Sequence, residues 1–62
     1  MKTRFIHTET QEILAQLDGY IYLNKGDSVM VNDGVYYVDR RAIFNLNNHE
    51  LNIHVGDSAP LN

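Results

Sequence analysis

The sequence predicts an all-β protein, a small five-stranded and mostly antiparallel barrel. Three observations point there. Apolar residues recur with period two along most of the chain, most cleanly at Leu51, Ile53 and Val55 with Asn52 and His54 between them. Turn-forming clusters, "NKGDS", "NDG" and "NNHE", separate the apolar stretches at short, regular intervals. The chain has 62 residues, which bounds it to one domain with a single thin core.

The elements follow in order. "TRFIHT" at 3–8 is rich in β-branched and aromatic residues and reads as a strand. The polar "TETQ" after it is expected to turn, forming a hairpin around Thr8–Gln11. "EILAQLDG" allows two readings. Ile13, Ala15 and Leu17 alternate as a strand requires, while Thr10 as N-cap with Ile13, Leu14 and Leu17 on one face would suit a short helix. The strand is favoured because the segment is short and its surroundings are β. "YIYL" crosses to the next pair of strands. "SVMV" places Val29 and Val31 on one side, and "NDG" supplies residues that tolerate positive φ, as a tight hairpin demands. "VYYVDRRAIFNL" is long for so small a domain, so it is expected to bend or bulge and to pair with different neighbours at its two ends. "LNIHV" closes the set, and 56–62, with Gly, Ser and Pro, is expected to be a flexible tail after a single domain over 1–55. The expected core is Phe5, Ile13, Leu17, Val29, Val31, Tyr36, Val38, Ile43 or Phe44, Leu51, Ile53 and Val55. Curling into a barrel would also remove free sheet edges.

The stretch "LNKGDSVMVNDGVYYVDRRAIFNLNNHELNIHV" carries a resemblance. Gly26-Asp27 before a strand, the turn Asn32–Gly34, the Tyr36–Val38 strand followed by Arg40 or Arg41, and a last apolar-x-apolar-x-apolar strand at Leu51–Val55 are similar to a group of short proteins. These are encoded in bacteriophages, prophages and bacterial genomes. The resemblance covers about half of the chain. It implies an SH3-like small β-barrel and a phage setting, and it brings no activity or site. Such proteins often have Pro where this chain has Asn24.

Composition narrows function. There is no cysteine, so neither a disulfide nor a thiolate metal site is available. The net charge of −3, with only Lys2, Arg4, Lys25, Arg40 and Arg41 basic, argues against a general grip on nucleic acid. The N-terminal residues lack the pattern of a signal peptide and no apolar run would span a bilayer, so a cytoplasmic protein is expected, in the host cell if phage-encoded.

Four groups of residues invite a functional reading. In a continued strand, Val35, Tyr37, Asp39 and Arg41 form an outer row, while Arg40 would point inward unless it lies over a barrel end or beside a bulge. Tyr and Arg dominate binding hot spots, so Tyr37, Asp39 and Arg41 form one expected protein-binding patch. An ordinary exposed ion pair is the plainer reading of the same row. Tyr20 and Tyr22 form a second patch. They would suit stacking of single-stranded nucleic acid if a basic groove lay beside them, and they would equally suit the ends of a small core. His7 and His54, on the first and last strands, can meet only if those strands pair, and zinc would need a third ligand such as Glu9 or Glu50. The spacing favours solvated histidines. The tripeptide "GDS" occurs twice, at 26–28 and 56–58, without a visible base or oxyanion hole, and reads as turn chemistry.

The sequence therefore leads to the expectation of a non-enzymatic protein-binding module with no cofactor or metal, acting as a virion accessory or as an inhibitor of a host protein. The alternatives are single-stranded nucleic-acid binding through tyrosine stacking and a self-assembling protein joined through the edge strand "TRFIHT".

Overall fold

In the computed structural model, which describes residues 1–40 and 42–59, every regular element is a strand. The strands are β1 (Lys2–His7), β2 (Ile13–Asp18), β3 (Ser28–Val31), β4 (Gly34–Val38), β5 (Ile43–Asn45) and β6 (Glu50–Gly56). They form one mixed sheet in the order β2-β1-β6-β4-β3, with β5 also paired to β6. The sheet curls into a half-barrel of 30 × 25 × 20 Å. The all-β class holds. The count of five is corrected to six, because the long segment expected over 35–46 breaks into β4 and β5. That break does what the length predicted: β4 pairs with the C-terminal end of β6 and β5 with its N-terminal end.

Two hairpins set the register. β1 and β2 are antiparallel, and Leu14 is an extra residue opposite the step from Phe5 to Ile6, a bulge that shifts the register. The segment 11–18 is thus a strand and not a helix. Between β3 and β4, Asn32 and Asp33 take φ of 49° and 68°, the paired left-handed conformations of a two-residue hairpin turn. The first and last strands pair parallel, Phe5 opposite Ile53. A parallel pair needs a long connection, and residues 8–49 lie between these two strands.

The registers sort side chains into cross-sheet rows. On the concave face run Leu17–Thr3–Leu51–Phe44, then Ala15–Phe5–Ile53, then His7–Val55–Val38. The fully buried apolar core is Phe5, Val38, Ile53 and Val55, with Leu14, Ala15, Leu23, Val29, Tyr36, Ala42 and Leu51 packed around it. Phe5, Val29, Tyr36, Val38, Leu51, Ile53 and Val55 are as the sequence predicts, and Val31 is half-buried. Ile13, Leu17, Ile43 and Phe44 are corrections. Each is between 43% and 53% exposed: Ile13, put out of step by the Leu14 bulge, and Ile43 point to the convex face, while Leu17 and Phe44 lie at the margins of the concave one. Leu14, Ala15 and Ala42 pack in their place.

The half-barrel is not closed. β2 and β3 end the sheet on opposite sides and do not pair with each other, so the expected removal of edges does not occur. The edge role expected of "TRFIHT" is overturned as well, because β1 lies between β2 and β6. Residues 19–27 run from one edge strand to the other across the open side. Gly19 and Gly26, at φ of 86° and 95°, turn the chain at the two ends of this crossing. Leu23 drops onto the core, Thr3 Oγ1 donates to Gly19 O at 2.7 Å, and the far end is pinned by Gly26 N to Val38 O and Val38 N to Asp27 O.

Candidate functional site

The crossing segment shapes a concave surface feature with apolar walls. A cleft of about 620 Å³ opens between residues 21–25 on one side and Ala42 with Leu51 on the other. Leu51 reaches it because the concave row ends there, next to Phe44. The Tyr20 ring packs edge-on against Phe44 with centroids 4.8 Å apart, next to the lining residues Ile21 and, across the β5–β6 pair, Leu51. Tyr22 is 85% exposed, an extreme value for a tyrosine flanked by Ile21 and Leu23. Lys25 is the one charged residue among the described residues of the lining. Of the second patch expected from sequence, Tyr22 lines this cleft and Tyr20 stands beside it, on Phe44. The sequence offered no signal that Phe44, Ala42 and Leu51 would join them, because that juxtaposition depends on β5 pairing with β6.

The Val35–Tyr37–Asp39–Arg41 row is interrupted. Tyr37 lies opposite Gly56 and Ser28 and is half-exposed. β4 ends at Val38, and Asp39 turns into the fold: its N–H donates to His54 O at 2.9 Å, and its Oδ2 accepts from Thr8 Oγ1 at 3.4 Å. Arg40 follows the end of the strand and is exposed, which removes the conflict its inward direction would have created. Arg41 lies outside the described residues, as do 60–62 of the expected tail. β6 itself takes in Gly56, and Asp57 reaches back to His7.

The histidines separate. β1 and β6 do pair, but His54 sits opposite Ile6 and His7 opposite Val55, so the two rings face opposite sides of the sheet. His7 is buried on the concave side. Its Nδ1 accepts from the N–H groups of Glu9 (3.2 Å) and Thr10 (3.4 Å), which makes Nε2 the protonated nitrogen that faces Asp57 Oδ1 at 3.2 Å. The ring therefore organises the β1–β2 turn and holds the chain after β6. His54, on the convex side, has its pKa lowered by desolvation first and by Arg40 second, with Asp39 opposing.

The convex face carries the rows Asp18–Lys2–Glu50–Asn45, Gln16–Arg4–Asn52–Ile43 and Ile13–Ile6–His54. Glu50 is buried there and its Oε2 lies 2.8 Å from Arg4 Nε. The Nε–H is not aimed at that oxygen, so the contact is an ion pair without a well-directed hydrogen bond. Asn52 Oδ1 and His54 Nδ1 are also buried with no hydrogen-bond partner among the described residues. No cluster of three metal-ligating side chains occurs among the described residues.

Comparison with known proteins returned no matching family model, no matching curated protein and no matching solved structure.

Proposed function

We propose that this chain is a small, non-enzymatic protein-binding module and that it engages its partner at the cleft lined by Tyr22, with Tyr20 and Phe44 beside it. The observation that carries this reading is the concentration of aromatic and aliphatic side chains at this cleft, with Tyr22 standing almost wholly in solvent. Tyrosines at the rim of an apolar depression are the usual anchors of an interface, since they bury large area at low entropic cost. The row at Tyr37 and Asp39 is the weaker of the two expected patches, because Asp39 spends its hydrogen bonds within the fold.

Tyrosine stacking of single-stranded nucleic acid is less well supported. That mode needs a basic groove along the stack. Of the described basic residues, Lys2 and Arg4 belong to the convex face, Arg4 is paired with Glu50, and Lys25 alone lines the cleft.

We further propose that the curl is an SH3-like barrel left open on one side, a reading supported by the resemblance carried by Gly26-Asp27, Tyr36–Val38 and Leu51–Val55. The same resemblance favours a phage-encoded protein acting on a bacterial host protein in the cytoplasm. A photo-cross-linking residue placed at Tyr22, at Tyr37 and at Asp33 of the folded protein, expressed in bacteria, tests the site. A discrete adduct from position 22 that is absent from 33 is the expected result. Adducts from 37 alone would move the interface, and equal, diffuse labelling at all three would remove the binding reading.

A further inference from the structure

The segment Tyr20–Leu23 has the composition of a strand and none of its bonds. Tyr, Ile, Tyr and Leu in succession favour extended backbone paired in a sheet. Yet no backbone N–H or C=O of these four residues has a hydrogen-bond partner among the described residues. The groups on either side do: Gly19 N donates to Met1 O and its carbonyl accepts from Thr3, while Asn24 N donates to Asp27 Oδ2. The unpaired run therefore lies between two fixed ends. Apolar sequence of this kind, exposed with its peptide groups unpaired, is a template for another extended chain.

We infer that Tyr20–Leu23 receives an extended segment of the partner protein by strand addition, laying a new strand along the open side of the half-barrel. This rests on the protein-binding reading above and names the form of its ligand. Main-chain bonds would supply the register, and alternate side chains of the added strand would enter the cleft against Ala42 and Leu51. Among the described lining residues Lys25 alone is charged, so the ligand that complements them is an alternating apolar segment with an Asp or Glu where it passes Lys25. A helix would leave the four peptide groups as they are, since its own backbone bonds are internal.

A surface-displayed library of random linear octapeptides, selected on the wild-type protein, tests this. The expected winners alternate apolar and polar residues and carry an acid at one end. They lose binding to Tyr22→Ala, and Lys25→Glu reverses the preference for an acid. Synthesised with single N-methyl groups, the winning peptide should weaken about tenfold or more at alternate positions and little at those between, the signature of a strand that donates from one edge. Winners insensitive to N-methylation would overturn strand addition while leaving a protein-binding cleft. So would an empty selection in which the cross-link at position 22 still forms. An empty selection together with no such cross-link would remove both readings. If sedimentation shows dimers at high concentration and the 20–23 amides become protected only in the dimer, the occupant is a second copy and the assignment to a partner protein is overturned.

Discussion

Arg4 and Glu50, on adjacent parallel strands, meet at 2.8 Å on the convex face, and the carboxylate of this pair is almost fully buried. A buried carboxylate is tolerated only with a cation beside it, because removing it from water is costly. Arg4→Ala strips away that cation. We expect it to destabilise the fold by about 2 kcal/mol, below the ~3–5 kcal/mol of a fully buried pair because Arg4 itself is partly solvated. Replacing both partners, Arg4→Met with Glu50→Leu, should recover most of the loss. Urea unfolding of the two variants beside wild type measures it, and an additive loss in the double variant would show that the ion pair is not what matters there.

His54 makes stability depend on pH with a definite sign. Its folded pKa lies below the ordinary 6.5, from desolvation first and Arg40 second. Between the folded and unfolded pKa values the unfolded chain binds more protons, so stability is greatest above about 6.5 and falls as pH drops through the folded pKa, then levels off. Thermal unfolding of wild type and His54→Gln across that range should show the gap between them shift against wild type on acidification. A constant gap would mean that the ring is as free to protonate folded as unfolded.

Burial separates true core from expected core. Ile53→Ala empties a site with no exposure at all and should cost about 3–4 kcal/mol, enough to leave so small a domain largely unfolded. Ile13→Ala, at an edge position that is 53% exposed, should cost less than about 1 kcal/mol. Circular dichroism with denaturant titration distinguishes them, and comparable losses would contradict the burial described here.

The β3–β4 turn offers a gain. Asn32 and Asp33 both hold positive φ, and only glycine does so without strain. Asp33→Gly should stabilise by a few tenths up to about 1 kcal/mol, the relief of strain being partly offset by the freer unfolded chain. A lower denaturation midpoint for this variant would contradict the turn geometry.

Much of this fold was legible from period and turn chemistry. The hairpin at Thr8–Gln11, the Asn32–Gly34 turn and the alternation of β6 all follow from local residues, and local residues specify them physically. What was not legible depends on which strands lie at edges. Ile13 and Leu17 look like core because they alternate, but the bulge at Leu14 turns Ile13 to the convex face, and Leu17 lies on a strand with a neighbour on one side only. Phe44 and Leu51 are far from Tyr20 and Tyr22 in sequence, and the cleft they share arises from the pairing of β5 with β6. The lack of backbone partners in "YIYL" is the opposite case, since the composition there points to pairing that the described residues do not supply.

Tyr20–Leu23, without backbone partners among the described residues, is inferred to receive a partner strand. Amide hydrogen exchange of the dilute, monomeric protein, read residue by residue by NMR, tests it most directly. We expect the amides of Tyr20–Leu23 to exchange near their unprotected rates while those of Phe5, Ile53 and Val55 are strongly protected. Protection of the 20–23 amides comparable to that of β6 would contradict the account, because the segment would already have its hydrogen-bond partners within the chain.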